Sequence, residues 1–133
     1  MSQMVLDTHV LVWWLEDNRR LPASVRTMLD DKELDLHLTT VVVTELIDLC
    51  VKGRTGLKLD PVLAVLRGDE RFVIHDFTAE IALETAKYAA LPDIHDRCIV
   101  AATAKLNESR GDAVLVTRDQ AIRDSKFVPT MWE

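Results

Sequence analysis

The chain has 133 residues, 48% of them hydrophobic and 29% charged, which is the balance of a single compact domain, residues 1–133, with a core of its own. No apolar run is long enough to cross a membrane, and the N-terminus lacks the basic and apolar regions of a signal peptide. A formal net charge of −6 argues against non-specific nucleic-acid binding through a broad basic surface.

Met4–Leu6 is a short apolar strand, punctuated by Asp7-Thr8, and His9–Leu15 continues as an apolar helical run. Pro22-Ala23 opens a second helix that runs to about Asp31, because proline suits a first turn. Leu34–Leu38 alternates apolar and polar residues as a strand does. Thr39-Thr40 caps the next helix, which runs to roughly Lys52 before Gly53 ends it. Asp60-Pro61 begins a short helix ending near Gly68, and Phe72–Ile74 is the next strand. Thr78 caps a helix reaching Ala90, Pro92-Asp93 separates it from another over Ile94 to about Leu106, and Ala113–Val116 is a buried strand. Thr117 begins a last short helix, and Phe127-Val128 is the final edge strand. Strands alternating with helices predict an α/β fold around a mostly parallel sheet. The carboxyl ends of such strands carry the ligand site.

Four carboxylates stand where apolar runs end or helices begin: Asp7, Glu45, Asp96 and Asp119. Acidic groups beside apolar surface need a partner, a hydrogen bond or a cation. Capping explains Asp7, Asp96 and Asp119 one at a time, since acids favour a helix's first turn. Glu45 is harder to account for, because it shares a helical face with Val41, Val42 and Leu49. Asp96 has Ile99, Val100 and Thr103 on its face. Together the four predict one clustered, all-oxygen site of the kind that seats a hard divalent ion. Such an ion would reverse the local field, so the acidic net charge leaves a nucleic-acid substrate open. Asp48 and Asp93 are outer acids by the same reading, or respectively an exposed residue and a cap.

Four histidines, His9, His37, His75 and His95, are scattered without zinc-like spacing and read as structural or surface residues. Cys50 and Cys98 fall in helical apolar contexts and read as reduced, buried thiols of a cytosolic protein. Trp13 and Trp14 serve the core or a protein contact.

These segments resemble the PIN-domain ribonucleases, especially the toxin components of VapBC toxin–antitoxin pairs. Met4–Leu15 is similar to the family's first motif, with a strand, an Asp-Thr pair and an apolar helix. Val43-Thr44-Glu45-Leu46 is similar to the second, His95–Ala104 to the third, and Leu115-Val116-Thr117-Arg118-Asp119 to the fourth. The four occur in the family's order over nearly the whole chain. The resemblance implies a PIN-like three-layer fold and a cytoplasmic endoribonuclease dependent on Mg2+, or Mn2+. It implies Asp7, Glu45 and Asp96 as metal ligands, and Asp119 as the residue completing the site or holding a second ion. Thr117 orients a carboxylate or a water. It also implies an RNA substrate, a homodimer and an antitoxin that blocks the acidic pocket. Arg97 and Arg118, beside two of the acids, would hold substrate phosphates or form internal salt bridges to those acids.

A phosphate-receiving regulatory domain would need an acidic pair after the first strand and a lysine after the last, where this chain has lone Asp7 and Arg118-Asp119. A haloacid-dehalogenase-like phosphatase needs Asp-x-Asp, and here the tripeptide is Asp7-Thr8-His9. No phosphate-cradling glycine-rich loop is present. The remaining alternative is a non-catalytic PIN-like module that binds RNA or protein.

Overall fold

The computed structural model describes residues 3–133. Five strands form one sheet: β1 (Gln3–Leu6), β2 (Leu36–Thr39), β3 (Phe72–His75), β4 (Ala113–Val116) and β5 (Thr130–Met131). Their order is β3-β2-β1-β4-β5, and every pairing is parallel. The helices are α1 (Thr8–Leu15), α2 (Ala23–Leu29), α3 (Thr40–Val51), α4 (Leu59–Gly68), α5 (Ala79–Glu84), α6 (Ile94–Arg110) and α7 (Gln120–Ser125). A single 3-10 turn covers Thr85–Tyr88. The expected α/β fold is present, with a wholly parallel sheet.

The chain winds outward from β1 to β3, then crosses back to β4 and β5. Right-handed crossovers therefore lay α1–α4 on one face and α5–α7 on the other. Strands covered on both faces must be apolar throughout. Leu6, Leu36, Leu38 and Leu115 accordingly have no exposed surface, and Leu11, Leu29, Leu46, Ile99 and Ile122 close over them from the helices. The direction of winding reverses between β1 and β4, and a sheet of this kind opens a crevice at that point. Gln3 to Leu6 pairs in register with Ala113 to Val116, so the residues just past both strands emerge side by side.

The core also holds polar groups, the largest of them His37. His37 on β2 is fully buried; its Nε2 faces Gln3 Oε1 at 2.6 Å and its Nδ1 faces His75 Nε2 at 2.6 Å. An amide oxygen can only accept, so His37 Nε2 carries the proton and Nδ1 accepts from His75. Burial, followed by the field of His75, pushes the His37 pKa down to about 4. Burial also lowers that of His75.

Three local details differ from the sequence expectation. The helix from Thr78 stops at Glu84 instead of Ala90, and the Thr85 hydroxyl donates to the Ala82 carbonyl at 2.6 Å, competing with the helical ladder. The last strand is Thr130–Met131, not Phe127-Val128. Lys126 takes a left-handed conformation (φ 57°), and Phe127–Pro129 carries the chain back to the sheet edge, where the Leu115 N–H donates to the Pro129 carbonyl. Finally, α7 is capped by Asp119, whose side chain accepts from the Ile122 N–H at 3.0 Å, rather than by Thr117.

Candidate functional site

The sheet's crevice is walled by four chain segments. Asp7 ends β1 and caps α1, with Oδ1 accepting from the Thr8 N–H at 2.8 Å. Its other oxygen, Oδ2, accepts from the Thr117 hydroxyl at 2.6 Å. The Thr117 oxygen in turn accepts from the Asp119 N–H at 3.0 Å. Thr117 is fully buried. Its hydroxyl thus ties the end of β4 to the end of β1 and shapes the turn that delivers Asp119.

Glu45 comes from the second turn of α3, which Thr39 caps through the Val42 N–H. Its Oε1 accepts from the Thr8 hydroxyl at 2.8 Å. Asp96 comes from the first turn of α6, whose cap Asp93 accepts from the His95 and Asp96 N–H groups at 2.7 and 3.3 Å. The resulting cavity, of about 280 Å³, is lined by Asp7, Glu45, Asp93, Asp96 and Asp119 with Thr8, His9, His95 and Arg118. All four carboxylates singled out in the sequence meet there.

The electrostatics follow from this crowding. Burial raises the pKa of Asp7, and the bonds from Thr117 and Thr8 only partly oppose that. Burial raises Asp96 to about 7, reinforced by the negative fields of Asp119, Asp7 and Asp93. Among the described residues no lysine or arginine is paired with Asp7, Glu45, Asp96 or Asp119; His95 Nδ1 stands 3.8 Å from Glu45 Oε2 and 3.6 Å from Asp93 Oδ1. Burial first, and the unrelieved charge of its neighbours second, disfavour the ionised form of Asp96.

Oxygen donors without a built-in cation suit a hard divalent ion. Yet among the described residues no group of three or more His, Cys, Asp or Glu side chains is gathered tightly enough to hold one. The two observations are compatible for magnesium, which keeps several waters and takes only one or two carboxylates directly.

Other sequence expectations resolve as follows. Arg97 makes no ion pair with the acids: its Nε donates to the Leu91 carbonyl at 2.6 Å and its Nη2 to that of Pro92 at 3.2 Å, fixing the turn before α6. Among the described residues Arg118 makes no salt bridge either, and its guanidinium lies 4.9 Å from the centre of the Trp13 ring. Asp48 pairs with Lys52 on the surface, away from the cavity lining. Cys50 and Cys98 are free, partly buried thiols, each raised by burial. Thr8 escaped sequence reasoning as a site residue. Only the Asp-Thr pairing after β1 hinted at it, because its partner Glu45 is 37 residues away.

A doubly wound parallel sheet that collects carboxylates at its switch point defines an α/β protein with an acidic cleft. The sequence profile of the PIN domain matches residues 4–128, and the chain belongs to that family. No curated protein matches the chain as a relative. Solved structures share its fold. FitAcB from Neisseria gonorrhoeae is 24% identical with a TM-score of 0.70, and 96% of each chain is covered. VapBC2 from Rickettsia felis, bound to a DNA fragment from their promoter, is 18% identical with a TM-score of 0.69 over 98% of each chain. DNA-bound VapBC from Salmonella typhimurium is 19% identical with a TM-score of 0.62, again over 98% of each. No helix among the described residues is long and apolar enough to cross a membrane.

Proposed function

We propose that this protein is a divalent-metal-dependent endoribonuclease, the toxin of a two-protein toxin–antitoxin pair. The observation that carries the reading is the cavity at the β1–β4 switch point, where four carboxylates converge and, among the described residues, no lysine or arginine is paired with any of them. Membership of the PIN domain family supports it, as does the likeness to FitAcB and VapBC. Asp7, Glu45, Asp96 and Asp119 would hold Mg2+ or Mn2+, some of them through water. A bound ion would supply Lewis acidity toward a phosphoryl oxygen and offset the charge repulsion between an acidic cleft and RNA.

The chain's own residues do the rest. Thr8 and Thr117 hold Asp7 in one orientation, so its oxygens are fixed before substrate arrives. Thr8 also holds Glu45. A carboxylate oxygen of the cluster receives the proton of the water that attacks phosphorus, and no protein nucleophile takes part. The protein acts in the cytoplasm as a homodimer, and its antitoxin covers the acidic cavity. The test is cleavage of cellular RNA by purified protein with magnesium, manganese or chelator, beside Asp7→Asn. Metal-dependent cutting by the wild type alone is the expected result. Metal and RNA binding without cutting would make it a binding module.

A further inference from the structure

Beside the acidic cavity lies a small cationic surface that the proposed chemistry does not use. Trp13 is buried, yet two exposed arginines rest on it: Arg118 at 4.9 Å and Arg20 at 5.6 Å from the ring centre. The exposed His9 meets the same ring edge-on, with centroids 6.3 Å apart. Trp132 packs against it from the sheet edge at 6.1 Å. Among the described residues neither arginine makes a salt bridge or donates a side-chain hydrogen bond, although Arg20 lies in the field of Glu16. Lys52, Lys87 and Lys105, by contrast, are paired with carboxylates.

An arginine stacked on an aromatic ring keeps its charge and all its donors, while the stack restricts its motion. Trp13 therefore holds two guanidinium groups that are free to bond outward. Arg118 and His9 also line the acidic cavity, so this surface is continuous with the site. Because Trp13 is covered, it is a platform for the arginines and not for bases.

We infer that Arg118 and Arg20 form a phosphate track that leads one side of a single-stranded RNA backbone into the carboxylate cavity. The inference rests on the nuclease reading above and adds the path by which substrate enters. Contacts of this kind position a strand without reading its sequence. They belong to affinity and not to the chemical step.

The test is fluorescence anisotropy of a labelled, mixed-sequence single-stranded RNA at several salt concentrations. Binding is measured in an Asp96→Asn background, which keeps the RNA intact, for Arg20→Gln, Arg118→Gln and the double variant. Arg67→Gln, an exposed arginine on α4 outside the cavity, is the charge-matched control. Wild-type cleavage is followed in parallel. The double variant is expected to bind about tenfold more weakly, with a salt slope lower by about 0.7 per arginine removed, while the control is unchanged. In the cleaving protein the same changes raise KM and leave kcat. Each single variant alters only a surface side chain, so either one reads the slope if the double variant is unstable. Unchanged affinity and slope, in a protein that still cleaves RNA, overturns the track and leaves the nuclease reading standing. That result would reassign the two arginines to a protein-facing surface. Failure of the wild type to bind or cut any RNA overturns both.

Discussion

Thr117 has the most constrained side chain in the site. Its one hydroxyl gives its proton to Asp7 and accepts from the Asp119 backbone, and nothing else occupies those roles. Valine has the same shape without the hydroxyl. Thr117→Val should therefore lose about 1–3 kcal/mol of stability, since it leaves buried polar groups unpaired. It should also lower cleavage more than it lowers RNA affinity. Denaturant melts and a kcat and KM comparison check both. Asp96 makes the opposite trade. Its pKa of about 7 lies above the ordinary 3.8, so the folded protein binds this proton more tightly than the unfolded chain. The carboxylate is thus a liability above pH 7 that is relieved as pH falls toward 3.8. Metal-free Asp96→Asn should melt at a higher temperature than wild type at pH 8, with the advantage shrinking as the buffer is acidified. Its cleavage should be lost. The four acids were legible in the sequence because each stands where an apolar run ends or a helix begins. Of the threonines that orient them, Thr117 entered only through the family resemblance and Thr8 not at all, because their partners lie 110 and 37 residues away.

The N-terminus of α6 is the element on which the site depends most. Asp93 caps it, and Arg97, one turn in, reaches back to the Leu91 and Pro92 carbonyls. These bonds fix the angle at which the helix enters, and therefore where Asp96 points. Arg97→Gln leaves every carboxylate in place but frees that turn. It should reduce cleavage while costing about 1.5–3 kcal/mol of stability, the range of hydrogen bonds to a charged group. Thermal melts and initial rates measure it, and an unaltered rate would remove Arg97 from the positioning machinery. The helix starts were legible because Thr39, Thr78 and Asp93 are strong caps. Helix ends and the weak last strand were less so. The stop at Glu84 depends on a local hydroxyl bond, and β5 is placed by the edge of β4 and not by its own pattern.

Across the whole molecule, the sheet carries a polar seam through its centre. Gln3, His37 and His75 link β1, β2 and β3 through one chain of bonds, which fails when both rings are protonated and two N–H groups face each other. His37 titrates at about 4, below the ordinary 6.5, so the unfolded chain binds its proton more tightly than the folded one. The stability this contributes is fully present above about pH 6.5 and is lost as pH falls toward 4. Unfolding free energy followed through that window should decline, and His37→Gln should flatten the decline even where it lowers stability overall. Composition and alternation foretold a parallel α/β sheet, but not this seam. In the sequence, His37 and His75 are only two scattered histidines.

The pairing of β1 with β4 has a bearing on how the protein is made. The first strand leaves the ribosome early, but its neighbour on the inner side is not synthesised until residues 113–116. Until then the nascent polypeptide carries Asp7, Glu45 and Asp96 with no strand to bring them to one edge, and β1 has an open flank. Such long-range closure is slow and comes late in folding. Until β4 has been made, the growing chain cannot assemble the cavity.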